Sequence, residues 1–226
     1  MITAIVVDIE GTTSPTDSVR EKLYDYTRRH LEQWLTDNQG GAADPVIAET
    51  RELSGRSAAG PVGVAEILCG WLDSDVKAAP LKAAQGLVCA EGFRGGDLVG
   101  EFFDDVPGAL RSWHDDGIQL HVYSSGSVRN QQDWFAYAHG GELSSLITGW
   151  FDLANAGAKR ESSSYDAIAT AVGTAPDQIL FLSDHPDELD AASAAGWSVL
   201  GVVRPGEPNS PRPPHRWVSS FADVTP

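Results

Sequence analysis

The chain has 226 residues, 42% hydrophobic and 21% charged, which are the proportions of an ordinary folded protein and exclude wholesale disorder. Its formal net charge of −16 opposes binding to nucleic acid or to an anionic membrane surface, since both need clustered Lys and Arg. Cys69 and Cys89 lack the CxxC or His-rich neighbourhood of a thiolate metal site, and no apolar run reaches spanning length or follows a basic leader, so the expected setting is soluble, reducing and cytoplasmic.

The first predicted element is a strand over residues 2–7, continuously apolar, as suits a parallel-sheet strand covered on both faces. It runs into Asp8, with Glu10 two residues later in Asp8-Ile9-Glu10-Gly11-Thr12. From 14 to 105 the pattern turns helical. Ser18 and Glu21 have the spacing of a capping box, and Val19, Leu23, Tyr26, His30 and Trp34 then follow at helical spacing. Ala-rich stretches over 64–72 and 76–88 continue it, with Gly-rich breaks between. The expectation is a helical cap, residues 15–105, inserted after the first strand of a main domain made of 1–14 and 106–226.

Beyond the insert, strands and helices alternate. A helix over 106–116 is closed by Gly117, a strand follows over 118–123, and a helix over 163–172 is closed by Gly173. A strand over 179–182, a helix over 188–195 with Gly196 after it, and a strand over 198–203 complete the series. Pro205, Pro208, Pro211, Pro213 and Pro214 make a surface loop before a last apolar piece at 217–221. Alternating strands and Gly-terminated helices predict an α/β fold with a doubly wound parallel sheet.

In such sheets ligands bind beyond the carboxyl ends of the strands. There the sequence places Asp8 and Glu10, then Ser124, Ser125, Gly126 and Ser127, then Ser183, Asp184, His185, Pro186, Asp187 and Glu188, with Lys159 in a connection. Carboxylates, hydroxyls and a lysine at one edge converge on a phosphoryl group. Asp8 and Asp184 are hard oxygen ligands suited to one Mg²⁺. Ser124 and the backbone amides after it, through Gly126, would donate to the phosphate. Lys159 would offset the charge of the phosphate and of Asp8. So paired, Asp8 becomes a nucleophile able to form an aspartyl-phosphate. Along an extended segment Glu10 points to the same side, where a proton shuttle between leaving group and water is needed.

Each residue has a plainer reading when taken alone. Asp8 would end a strand in a turn, Ser124 and Ser125 would cap a helix, Lys159 would be a solvated charge, and Glu188 would favour its helix dipole. Their agreement favours a site. The histidines show no HxxxH or HExxH spacing, which leaves zinc and a metal role for His185 unsupported. Cys89 reads as a small buried apolar side chain.

DIEGT around Asp8, VYSSGS ending the second strand, Lys159, and FLSDHPDE around Asp184 stand in the order of the four motifs of the haloacid dehalogenase-like phosphatases, which the chain resembles. That resemblance implies a Rossmann-like core with a cap inserted after the first motif. DIEGTTSP, LKAAQGLVCAEGF, EFFDDVPGALRSW, VYSSGS, KRESSSY and VVRPGEP are together similar to one family within it, the acireductone synthases (enolase-phosphatases) of methionine salvage. The family implies a Mg²⁺-dependent monomer that enolises and then dephosphorylates a phosphorylated diketone, 2,3-diketo-5-methylthiopentyl-1-phosphate. Carried over by position, Asp8, Asp184 and the Glu10 carbonyl match its metal ligands. Ser124, Ser125 and Lys159 match its substrate-binding residues, and Glu188 matches a supporting acid, with Asp187 the rival. The base for enolisation stays open between Glu10 and residues of the cap.

Two positions depart from the family. Cys89 stands where an aromatic residue is usual, and Ser18 where a bulky apolar one is usual; both fall in the insert, expected to close over the methylthio end. They motivate a rival reading, a phosphatase of the same superfamily that acts on another small phosphate ester without enolisation. A receiver-like protein would share the Asp, hydroxyl and Lys but needs neither Glu10 nor a cap. An inactive ligand-binding relic would not need every catalytic residue type.

Overall fold

The protein, seen in a computed structural model, is described over residues 1–74 and 76–226. β1 (Ala4–Val7) is buried along its whole length because parallel strands flank it on both sides. β2 (Gln119–Tyr123), β3 (Ile147–Phe151), β4 (Ile179–Ser183), β5 (Ser198–Val202) and β6 (Trp217–Val218) complete a six-stranded parallel sheet in the order β3-β2-β1-β4-β5-β6. This is the predicted α/β fold. β3 and β6 are strands that the sequence pattern does not announce. In β3 the apolar run Ile-Thr-Gly-Trp-Phe is broken by Thr148 and Gly149, and the strand lies at the sheet edge. β6 has two residues and lies at the opposite edge.

By contacts the chain forms two units, residues 1–19 with 99–226, and residues 20–98. The first keeps residues 15–19 and 99–105, which the sequence pattern assigns to the cap. The cause is local: Phe103 N–H donates to the Thr13 carbonyl at 3.0 Å, Gly100 bridges to Ala138, and Trp134 Nε1 donates to Ser14 Oγ at 3.0 Å. Ser18 therefore belongs to the sheet unit. It also lies inside the first turn of α1 (Thr16–Asp37) rather than capping it, because the Pro15 carbonyl already accepts the Val19 N–H at 3.1 Å.

The second unit holds most of α1 with α2 (Ala43–Ser54), α3 (Pro61–Asp73) and α4 (Ala79–Gly95). Leu23, Tyr26 and Trp34 on α1 are buried as their spacing predicts, and His30 stacks on Tyr26 with ring centroids 4.1 Å apart. α4 crosses close to α1 at Gly92, where a side chain would collide with the Tyr26 ring. Cys89 is fully buried in this unit, with Sγ 3.5 Å from Thr27 Oγ1, as a small side chain should be. Among the described residues no helix is long and apolar enough to cross a membrane.

In the sheet unit, α5 (Val106–Asp115), α6 (Val128–Ala136), α7 (Ser162–Val172) and α8 (Pro186–Ala194) separate the strands. Tyr165 of α7 sits in the core, edge-to-face with Tyr123, Phe181 and Trp197 at centroid distances of 5.6, 5.3 and 5.3 Å. Such aromatic pairs contribute about 0.5–1.5 kcal/mol each beyond their area.

His121 of β2 is 2% exposed, and neither ring nitrogen has a hydrogen-bond partner among the described residues. Its ring fills the space that a side chain on Gly149 would need, which explains the glycine in β3. Burial lowers the His121 pKa from 6.5 to about 4. Between those values the unfolded chain binds a proton that the folded chain refuses, so stability rises with pH there and is lost on acidification. From about pH 7 to about pH 5 His121 should cost about 2 kcal/mol of stability. Urea unfolding at both pH values should show a loss smaller by that amount in His121→Leu; an equal loss in both proteins contradicts the assignment.

Candidate active site

Val7 pairs with Val122 on one side and Leu182 on the other, so β1, β2 and β4 end level. The residues that follow them, led by Asp8, Ser124 and Asp184, consequently emerge at one edge of the sheet. Asp8 keeps its backbone in the ladder, its N–H donating to the Leu182 carbonyl at 3.0 Å, while the residue as a whole is 4% exposed.

After Asp8 the chain turns tightly. The Ile9 carbonyl accepts from the amides of Thr12, Thr13 and Ser14 at 3.2, 3.0 and 2.9 Å, and Gly11 takes the left-handed conformation at φ +73°. Glu10 is half-buried in this turn and bridges to Ser14. The Thr12 hydroxyl ties two acidic loops together, donating to Asp8 Oδ2 at 3.2 Å and accepting the Asp184 N–H at 2.9 Å.

Lys159 is 9% exposed, and its ammonium lies 2.5 Å from Asp8 Oδ1 and 2.7 Å from Glu188 Oε2. Ser183 Oγ donates to the same Glu188 oxygen at 2.8 Å. The lysine is held from behind: Tyr165 O–H donates to its carbonyl at 2.7 Å, and Tyr123 O–H donates to the Gly157 carbonyl at 2.8 Å. The aromatic core under the sheet thus sets where the ammonium stands.

Three buried carboxyl groups, Asp8, Asp184 and Glu188, gather at this edge, and two of them, Asp8 and Glu188, contact the Lys159 ammonium. Burial works against the charge of Lys159, but Asp8 and Glu188 outweigh it and raise its pKa, so it stays protonated. Burial, and then the Asp8 charge, push the Asp184 carboxyl up to about 7 despite a 2.7 Å hydrogen bond from Asn209 Nδ2. Burial also raises Glu188, against the pull of Lys159. The edge therefore holds more carboxyl groups than its lysine can balance as carboxylates, and burial drives Asp184 and Glu188 toward protonation. Among the described residues no three His, Cys, Asp or Glu side chains form a ready-made metal cage. Two hard carboxylates with an electrostatic deficit nevertheless fit a divalent cation that completes its shell with carbonyl, water and substrate oxygens.

Asp187, the rival to Glu188, turns outward to Arg212 at 2.9 Å, whereas Glu188 turns inward onto Lys159. His185 is engaged locally, its Nδ1 accepting the Asp187 N–H at 3.2 Å and its Nε2 standing 3.0 Å from Arg160 Nη2. Ser124, Ser125 and Gly126 follow β2 in a loop stapled by Gln131 Nε2, which donates to the Gly126 carbonyl at 2.8 Å and the Phe151 carbonyl at 2.8 Å. Ser127, not Ser124 or Ser125, caps α6 by accepting the Asn130 N–H at 3.4 Å.

The sequence pattern does not mark Thr12 or Arg204 as site residues, although they stand in DIEGTTSP and VVRPGEP. Arg204 is 5% exposed; its Nε donates to the Thr12 carbonyl at 3.1 Å and its Nη1 to both Asp105 oxygens at 2.9 Å. Its guanidinium lies over the Phe103 and Phe221 rings at 4.5 and 5.0 Å. The signal available was an arginine ahead of Pro-Gly at a strand end.

Removing the ammonium would leave Asp8 and Glu188 buried without their counter-charge. Lys159→Met should lose about 3–5 kcal/mol of unfolding free energy, the usual penalty for breaking a buried pair from one side. Glu188→Gln in that background should restore part of it. Urea titration of both single variants and the double variant measures the coupling, and additive losses contradict a shared ion cluster.

A model of haloacid dehalogenase-like hydrolases matches residues 2–196. Enolase-phosphatase E1 of Nocardia farcinica is 64% identical over 99% of this chain and 97% of its own length. The protein of that name from Pseudomonas syringae is 42% identical over 100% and 98%. Among solved structures, the UTR4 protein of Saccharomyces cerevisiae superposes with a TM-score of 0.83 at 28% identity, covering 99% of this chain and 100% of that one. CbbY of Rhodobacter sphaeroides in complex with phosphate, at TM-score 0.63 and 16% identity over 99% and 96%, shares the fold. The chain belongs to the haloacid dehalogenase-like hydrolases and, within them, to the enolase-phosphatases.

Proposed function

We propose that this bifunctional enolase-phosphatase acts on 2,3-diketo-5-methylthiopentyl-1-phosphate, enolising it and then removing its phosphate through an aspartyl-phosphate on Asp8. The observation that carries the reading is the buried Lys159 ammonium held between Asp8 and Glu188. Enolase-phosphatase relatives across the whole chain support the paired activities.

In this reading Lys159 holds the Asp8 carboxylate in place, and Thr12 orients the other Asp8 oxygen. An Asp8 oxygen bonds to phosphorus as the bond from phosphorus to the enol oxygen breaks. Glu10 gives its proton to that leaving oxygen. It then takes a proton from the water that attacks phosphorus, and inorganic phosphate leaves with Asp8 regenerated. Ser124, Ser125 and the Gly126 amide hold the phosphoryl oxygens, and Glu188 keeps Lys159 in place. Asp8, Asp184 and the Glu10 carbonyl would hold Mg²⁺, whose Lewis acidity withdraws charge from the phosphoryl group when it is bound. Residues 20–98 serve as the cap, and the working form is a cytoplasmic monomer.

The deciding assay follows that substrate with and without Mg²⁺, reading enediol absorbance and released phosphate in parallel. Metal-dependent enediol formation followed by phosphate release is expected. Phosphate without enediol would leave a phosphatase of another small ester, and accumulation of a stable phosphoprotein would favour a receiver. Asp8→Asn should keep the fold by circular dichroism and lower phosphate release by at least about 10³-fold. Glu10→Gln should slow it by about 10²–10⁴-fold, and an unchanged rate removes Glu10 from proton transfer.

A further inference from the structure

The loop after β5 carries a carboxylate that the chemistry above leaves unused. Glu207 sits in Arg204-Pro205-Gly206-Glu207-Pro208-Asn209, a turn in which its N–H donates to the Arg204 carbonyl at 3.3 Å. Both ends of the turn are fastened to the site. Arg204 donates to the Thr12 carbonyl, and Asn209 Nδ2 donates to Asp184 Oδ2 at 2.7 Å. Between these anchors Glu207 Oε1 accepts the Thr16 N–H at 3.1 Å, at the start of α1.

The other oxygen is the anomaly. Glu207 Oε2 is buried and has no hydrogen-bond partner among the described residues. A carboxylate oxygen withdrawn from water and left without a donor is unfavourable, so its persistence calls for a partner of the right chemistry. Its surroundings say which. Oε2 faces the hollow left by the missing side chain of Gly11: a Cβ there would stand 3.3 Å from it and would collide with Asp184 Oδ2. Glu207 and Asp184 thus look into one small space beside the Asp8 loop. Another acceptor would be repelled there; a donor bound to a cation would be held. A hard cation such as Mg²⁺ keeps several of its waters, and their protons need fixed acceptors.

We propose that Glu207 Oε2 accepts a hydrogen bond from a water on the divalent cation held by Asp8 and Asp184, which makes Glu207 a positioning residue for that cation. This rests on the metal reading of the site given above. One carboxylate then serves two loops, with Oε1 fixing the start of α1 and Oε2 fixing the cation's hydration. The Arg204 and Asn209 anchors hold it there.

The test is calorimetric titration of the whole protein with MgCl₂ alone, comparing wild type with Glu207→Gln. Glutamine keeps an oxygen for the Thr16 N–H but replaces the outward acceptor with a donor. The melting temperature without metal should stay as in wild type, while Mg²⁺ affinity falls about 10–100-fold. Glu207→Ala, which also removes the bond to the Thr16 N–H, is read for Mg²⁺ affinity alone should the glutamine variant fail to fold. Equal Mg²⁺ affinity in wild type and variant overturns the proposal and reduces Glu207 to its bond with Thr16. A wild-type protein that takes up no Mg²⁺ fails the metal reading itself, a result distinct from the first.

Discussion

The site depends on one buried ammonium. Lys159 stands within hydrogen-bonding distance of Asp8 and Glu188, in a place where burial works against its charge. The two carboxylates keep it charged, and it in turn allows Asp8 to end a wholly apolar strand at the centre of the sheet. Without that counter-charge, β1 would drive an unpaired carboxylate into the protein. With it, the same carboxylate stands ready beside a polar loop and a helix start.

That ion cluster is assembled from loops far apart in sequence, and the sheet register brings them together. Level strand ends place Asp8, Ser124 and Asp184 side by side, while the Thr12 hydroxyl and the Arg204 guanidinium cross-link the loops. The overall charge of −16 gives no general attraction for a phosphorylated substrate. In the proposed chemistry the attraction is therefore local, from Lys159, the amides after β2 and a divalent cation. With three carboxyl groups gathered around one lysine, a divalent cation and a phosphate would each offset the charge of the other, so the two are expected to bind in mutual support.

Much of this was legible in the sequence for physical reasons. Central parallel strands are largely apolar, so the strands bearing Asp8, Ser124 and Asp184 stand out as runs, and glycine at helix ends marks where each returns. Residues at strand ends can then be grouped from topology, which brings Asp8, Ser124 and Asp184 together, whereas Lys159 in its connection and Glu188 in its helix are marked by the motifs that the family resemblance supplies. Edge elements follow other rules. β3 tolerates Thr148 and Gly149 because it has one neighbour and must leave room for His121. The start of α1 escaped because the Ser18 and Glu21 spacing imitates a capping box, while the Thr16 N–H is in fact received by Glu207 from a loop 191 residues away. Glu207 and Asn209 lie among prolines, without periodicity, on a path set by the distant anchors of Arg204. No local signal announces such a contact.

The central claim is that the carboxylate held by Lys159 is the one that takes up phosphate. Acid-quenching the enzyme during turnover, reducing it with borohydride and mapping the peptides by mass spectrometry tests this directly, because an acyl phosphate is reduced to the alcohol while a free carboxylate is not. The account predicts homoserine at position 8, formed only when substrate and a divalent cation are both present. Unmodified Asp8 during active turnover, or reduction at Asp184 instead, would contradict it.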